Sequence, residues 1–293
     1  MNRVLVLYHC PCPDGAFAAL AARLHFGSSA TYMPHSTTVP IDLAELPKSF
    51  QTLYLLDYCG PHGFIERACQ HFEQVYLIDH HKTALEELSD TIPNFKYSVQ
   101  MEHSGCILAL EWFSTPLCAR LDRVFDYIED NDLWLHKLPQ SKEFTAGLQS
   151  LNLPYDNPAI FDFLLTLDAD TLISFGKAEI AKRATYIASV LPLSTILPCG
   201  SRLLIVQNAQ YVSDLGHVLA ESSMSNIGIV ATPLGNVYRL SLRSINGVDT
   251  TPIAVRYGGG GHAAASGCIV SIFEMESIRK NGIIIHYDGR LLQ

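Results

Sequence analysis

Short apolar runs alternate with stretches of helical spacing through the first half of the chain. Val4 to Tyr8 (VLVLY) predicts a strand, and DGAFAALAARLHF, from Asp14 to Phe26, predicts a helix. Leu53 to Leu56 and Val75 to Ile78 are further apolar runs, separated by a helical stretch from His62 to Phe72. Runs without polar alternation belong to strands buried on both faces, so the pattern predicts a parallel sheet covered by helices on either side. Downstream, SGCILALEWF predicts a helix capped by Ser104, and RLDRVFDYIEDNDLW predicts another that ends in acids from Glu129 to Asp132.

The Asn- and Pro-rich stretch from Gly147 to Pro158 reads as a boundary, and ISFGKAEIAKRATYIASVL as a connecting helix. A second domain then begins near Arg202 with LLIVQ, followed by the strand-like IGIVAT and VYRLSLRS and by GGGGHAAASG, whose AAAS predicts a helix. The fold class expected is α/β throughout, with no repeat and no low-complexity tract.

Polar residues collect where the predicted strands end. His9 and Asp14 follow the first strand, Asp57 the second, and Asp79, His80 and His81 the third. In open parallel sheets, loops at the carboxyl ends of the strands present side chains to one crevice, which makes this edge the candidate site. Each motif alone has a plainer explanation. Asp14 would serve as a helix cap, His9 as a surface residue and Asp57 as a loop acid; a solvated helix end would account for Asp130 and Asp132. On extended backbone His80 and His81 point in opposite directions, so one suits a metal and the other a substrate. Together, these imidazoles and carboxylates suit divalent ions such as Mn²⁺ or Mg²⁺. The glycine run ending at His262 can form an anion nest extended by the helix behind it, and Arg243 with Ser244 could face the same anion.

Composition narrows the partners. Of 293 residues, 48% are hydrophobic and 17% charged, an ordinary globular balance. Residues 1–150 carry 10 Lys and Arg against 18 Asp and Glu, so most of the net charge of -9 lies there. An acidic chain is poorly suited to a long nucleic acid but accommodates a small anion whose charge a metal meets. The eight cysteines show no disulfide framework and no zinc-finger spacing, and no stretch reaches the roughly 20 apolar residues of a membrane span. A reducing, cytoplasmic setting is expected, an organelle remaining open.

With YHCPCPDGAFAA, LLDYCG, DHH, IEDNDLW and GGGGH in this order, the chain resembles the DHH phosphoesterase superfamily, in the branch with a C-terminal DHH-associated domain, and its first motif is closest to nanoRNase-like members. The resemblance implies a catalytic domain over residues 1–155, a helical linker over 156–198 and a smaller substrate-binding domain over 199–293. It implies metal ligation by His9, Asp14, Asp57, His80 and Asp130, with Asp57 bridging two ions, His81 on the scissile phosphate, and Asp132 as the alternative to Asp130. Arg243, Ser244, Gly259, Gly260, Gly261 and His262 would hold the substrate. The activity implied is exonuclease-like hydrolysis of short oligonucleotides or dinucleotides to nucleoside monophosphates by a hydroxide activated at two ions, Mn²⁺ foremost. A phosphatase acting on a nucleoside 3′,5′-bisphosphate, polyphosphate or cyclic dinucleotide is the alternative, and a non-catalytic nucleotide-binding module a third. A homodimer is left open. Cys12 departs from the family, standing where many members have the first acid of a D-x-D pair; a thiol is softer than a carboxylate and could ligate a different metal there or leave one ion weakly held.

Overall fold

The computed structural model describes residues 3–36, 39 and 41–283 and divides into two units, Met1–Ile180 and Ala181–Gln293. The first unit is built on strands β1 (Val4–His9), β2 (Ala30–His35), β3 (Thr52–Leu56), β4 (Gln74–Asp79) and β5 (Phe95–Val99). All pair in parallel in the order β2-β1-β3-β4-β5. Its helices are α1 (Pro13–Phe26), α2 (Phe64–His71), α3 (Gly105–Phe113), α4 (Ala119–Asp132), α5 (Ser141–Ser150), α6 (Phe161–Leu164) and α7 (Ala169–Val190), the last running on into the second unit.

The apolar runs bury both faces, as their lack of alternation requires. Val6, Tyr8, Leu56 and Ile78 turn to one side, against Phe17 and Leu20 of α1, Leu108 of α3 and Phe125 of α4. Leu5, Leu7, Leu53, Leu55, Val75 and Leu77 turn to the other, against Phe64, Ile65 and Ala68 of α2. Helix α1 begins at a proline, whose missing N–H costs nothing in a first turn, and ends at Gly27 with φ 58. Chain order reverses between β1 and β3, which leaves a crevice at their carboxyl ends because the connections on either side run in opposite directions.

The second unit holds β6 (Thr195–Ile196), β7 (Arg202–Ile205), α8 (Val212–Glu221), β8 (Ile227–Leu234), β9 (Val237–Ser244), α9 (Thr251–Arg256), β10 (Gly260–His262), β11 (Ala265–Ser271) and α10 (Ile272–Asn281). Its mixed sheet runs β10-β11-β9-β8-β7-β6. Helices α9 and α10 cover one face through Ile253, Ala254, Met275 and Ile278, and Leu215 and Leu219 of α8 pack against Leu204 and Val230 on the other. The AAAS segment is not the expected helix. It forms the turn into β11, which pairs antiparallel with both β9 and β10 and so uses its backbone groups in the sheet. Among the described residues, no helix is long and apolar enough to cross a membrane.

Candidate metal centre

Four loops at the β1/β3 crevice bring His9, Cys12, Asp14, Asp57, His80, His81 and Asp132 together. His9 ends β1, and its Nδ1 lies 3.2 Å from Asp57 Oδ2. Asp57 follows β3 with φ 55, a left-handed conformation that an aspartate tolerates better than most residues. That turn carries the carboxylate back over the sheet end, leaving the residue 2% exposed. His80 Nε2 sits 3.3 Å from Asp57 Oδ1, 3.4 Å from Asp132 Oδ2 and 3.7 Å from Asp14 Oδ2. Three donor groups emerge within these contacts: His9, Cys12 and Asp57; Asp57, His80 and His81; and Asp14, His80 and Asp132, the ligand atoms of each lying within 4.8 Å of one another.

Asp14 is fully buried, and both its oxygens are occupied. Oδ2 accepts from the backbone N–H of Gly105 at 2.7 Å and Oδ1 from that of Cys106 at 2.9 Å, so the carboxylate caps the start of α3 from the neighbouring helix α1 on the same face of the sheet. A Cβ on Gly105 would meet Asp14 Oδ2 and Asp57 Cβ at 2.8 Å each, which is why a glycine stands there. Sequence reading found the Ser104 helix start but not this partnership, which joins residues 91 apart.

The fourth motif resolves differently from the expectation that Asp130 is the ligand. Asp130 is 3% exposed, and its Oδ1 accepts from the N–H groups of Lys137 at 2.7 Å and Leu138 at 3.3 Å, pinning the turn after α4. Asp132 is the acid that joins the cluster. Two residues subtend about 200° on a helix, so the two carboxylates leave α4 on opposite sides.

The divergence expected of His80 and His81 is also absent. Strand β4 ends at Asp79, so alternation no longer governs the next two residues, and both imidazoles approach Asp57, at 3.3 and 3.5 Å. Asp79 orients the second. Its Oδ1 accepts from His81 Nδ1 at 2.8 Å and from the backbone N–H groups of His80 and His81 at 2.7 and 3.1 Å. This contact, outweighing burial, raises the His81 pKa to about 9.

Burial and like charge crowd the carboxylates of the site. Burial, together with the charges of Asp57 and Asp132, pushes Asp14 up to about 7. Burial also raises Asp132. For Asp57 burial acts upward, but the imidazole of His80 close beside it and the hydrogen bond with His9 outweigh it and hold the group below its ordinary range.

No family model matches the chain. It is 27% identical over 308 residues to an uncharacterized protein of Acanthamoeba polyphaga mimivirus, covering 91% of this chain and 67% of that one. Over 68 residues it is 43% identical to the oligoribonuclease NrnB of Bacillus subtilis, a segment covering 23% of this chain and 17% of NrnB. Its structure is similar to that of the pGpG-specific phosphodiesterase PggH of Vibrio cholerae, with a TM-score of 0.56 at 13% identity, covering 94% of this chain and 95% of PggH. The chain shares the fold of that phosphodiesterase.

The donor set fits the divalent ions that the sequence resemblance implies. Asp57 Oδ1 is buried with no hydrogen-bond partner, an arrangement that costs free energy unless a cation or a proton donor meets it. Imidazole and carboxylate together are the ligands such ions take.

In the second unit the structure separates residues that sequence reading grouped. Arg243 turns to the α8 face, its guanidinium donating to Ser213 Oγ at 2.7 Å and to the carbonyl of Leu242 at 2.9 Å. Ser244 is buried and donates its hydroxyl to the carbonyl of Val248. Successive residues of a strand leave on opposite faces, so the pair does not turn to one anion. The glycines begin after α9, where Gly259 N–H donates to the Ala254 carbonyl at 2.8 Å, and then form β10 with the exposed His262. With β11 behind them rather than a helix, the helix-terminus part of the expected anion site is missing.

Proposed function

We propose that this chain hydrolyses the phosphodiester of short oligonucleotides or dinucleotides, releasing nucleoside monophosphates. The observation that carries the proposal is the convergence of three buried or half-buried carboxylates and three imidazoles at the β1/β3 crevice, with Asp57 Oδ1 left unpaired at its centre. Likeness of fold to a phosphodiesterase acting on a dinucleotide, and a short segment of higher identity to an oligoribonuclease, support it.

In this reading His9, Asp14, Asp57, His80 and Asp132 hold divalent cations, Mn²⁺ foremost and Mg²⁺ as the alternative, with Asp57 belonging to more than one donor group. Bound there, such ions supply a nucleophile at neutral pH and offset charge on the transferring phosphorus. The protein's own part is positional. Asp14 is fixed by the start of α3, Asp57 by its left-handed turn, and His81 by Asp79. His81, kept protonated by Asp79, faces the non-bridging oxygens, where a cation stabilises developing negative charge. Arg243, His262 and the glycines Gly259, Gly260 and Gly261 are the proposed substrate contacts of the second unit; the Ser244 hydroxyl is taken up by the Val248 carbonyl.

The deciding experiment is turnover by purified protein with Mn²⁺ on a panel of RNA and DNA dinucleotides and short oligomers, cyclic dinucleotides, nucleoside 3′,5′-bisphosphates and polyphosphate. The expected result is mononucleotide release from the dinucleotides and short oligomers. Phosphate release from a bisphosphate or polyphosphate alone would replace the diesterase reading by the monoesterase one, and turnover of none would favour a binding module.

A further inference from the structure

The donor groups at the crevice differ in chemical softness. Asp14, His80 and Asp132 offer two carboxylates and an imidazole, whereas His9, Cys12 and Asp57 offer an imidazole, a thiol and a carboxylate. We propose that the His9–Cys12–Asp57 position is thiophilic, taking Zn²⁺ or a chemically similar ion through the Cys12 thiolate, while the Asp14–His80–Asp132 position takes a hard ion such as Mn²⁺ or Mg²⁺. The protein is then built for two different metals. This rests on the reading that the cluster holds cations, and not on the reaction catalysed there.

The geometry commits Cys12 to the site. It occupies the cap position of α1 in extended conformation, φ -142 and ψ 133, and its Sγ lies within 4.8 Å of ligand atoms of both His9 and Asp57. Gly15, one turn on, has no Cβ; one there would lie 2.3 Å from the His9 carbonyl oxygen. The first turn of α1 is therefore pressed against His9, which fixes the spacing of the thiol and the imidazole. Neighbouring Cys10 is 4% exposed and packs into the apolar core beneath α1. Of the eight cysteines, Cys12 alone shares a donor group among the described residues. Asp57, the third donor, is buried, and its Oδ1 has no hydrogen-bond partner.

Ligand chemistry then sets the preference. A tetrahedral ion with bonds of about 2.0–2.3 Å spaces its ligands roughly 3.3–3.8 Å apart, and His9 Nδ1 and Asp57 Oδ2 stand 3.2 Å apart already. Zinc accepts mixed sulfur, nitrogen and oxygen donors; Mg²⁺ demands oxygen and keeps its waters, and Mn²⁺ favours oxygen and nitrogen. When the ion binds, the Cys12 S–H bond breaks, the S–metal bond forms and the proton leaves to solvent.

Two measurements on the full chain test this without reference to turnover. Metal-stripped protein titrated with Co²⁺ should develop a near-ultraviolet thiolate-to-cobalt charge-transfer band that saturates at one ion per chain. The band should vanish in Cys12→Asp, which restores an acid, and in Cys12→Ser, which keeps the size of the side chain. After equilibration with equal Zn²⁺ and Mn²⁺, bound-metal analysis should give both ions in the wild type. In Cys12→Asp the Zn²⁺ to Mn²⁺ ratio should fall on the order of tenfold or more. Absence of the band in the wild-type protein, its persistence in both variants, or an unchanged metal ratio would each overturn the proposal. A band in a protein that hydrolyses nothing on the nucleotide panel keeps the soft site and removes the diesterase reading, and turnover without a band does the reverse.

Discussion

The crevice of the first sheet and the glycine-rich hairpin of the second are equally conspicuous in sequence, yet they differ in how far the fold itself explains them. At the hairpin the glycines have structural work. A Cβ on Gly259 would fall 2.1 Å from the Gly267 carbonyl, and one on Gly261, at φ 140, 2.6 Å from the Ala265 carbonyl, so both are needed for β10 and β11 to approach. At the crevice Asp14 caps α3, but the fold asks for no such gathering of acids around it. Three carboxylates repel one another, Asp14 is driven upward in pKa, and a buried oxygen has no partner. Residues that the fold explains are weak evidence of function; residues the fold must tolerate are strong evidence.

That contrast can be broken most directly at Asp57. Asp57→Asn, which suits φ 55, should lower metal-dependent hydrolysis on the order of 10³-fold or more while the melting temperature in chelator is unchanged. Retained turnover would remove Asp57 from the chemistry. At the hairpin the order should reverse. Gly259→Ala should destabilise by about 1–3 kcal/mol or more in denaturant titrations, because a backbone atom stands in the way. Gly260→Ala, with nothing within 4 Å of its Cβ, should leave stability alone. A loss of turnover in Gly260→Ala at full stability would show a hairpin glycine serving substrate.

The two acids of α4 repeat the comparison on one helix. Asp130→Ala, which strands the N–H groups of Lys137 and Leu138, should cost about 1–3 kcal/mol and leave metal affinity in place. Asp132→Asn should weaken metal binding by roughly 10–100-fold, measured by calorimetry, at unchanged stability. The smallest expected effect concerns pH. The His81 pKa is raised in the folded protein to about 9, so its bond to Asp79 stabilises fully below the unfolded value near 6.5, and that contribution fades as pH rises through 9. In chelator, the melting-temperature gap between the wild type and Asp79→Asn should narrow over that window; a constant gap would show that the contact is not ionic.

Legibility in the sequence followed burial. Strands β1, β3 and β4 and helices α1 and α4 were readable because one environment dominates each: sheet centres are apolar throughout, and α4 has a clear apolar stripe. Strands β2 and β5 were not, since they are the sheet edges and mix exposed with buried positions in ATYMPH and FKYSV. The strand ends announced His9, Asp57, His80 and His81 because topology collects them. What stayed hidden was non-local. No pattern within α4 tells Asp130 from Asp132, nothing near Asp14 reveals that Gly105 and Cys106 donate to it, and the helix propensity of AAAS is overridden by pairing with β9 and β10.

The cap that Asp14 places on α3 has a consequence for biosynthesis. Synthesis proceeds from the N-terminus, so a nascent chain released only as far as His80, just past β4, already carries His9, Cys12, Asp57 and His80 but lacks both Asp132 and the amides that seat Asp14. On the proposed metal assignment, ion capture at the hard position would wait until α3 and α4 have emerged and docked, and until then the segment would be most exposed to whichever metal a thiol attracts first.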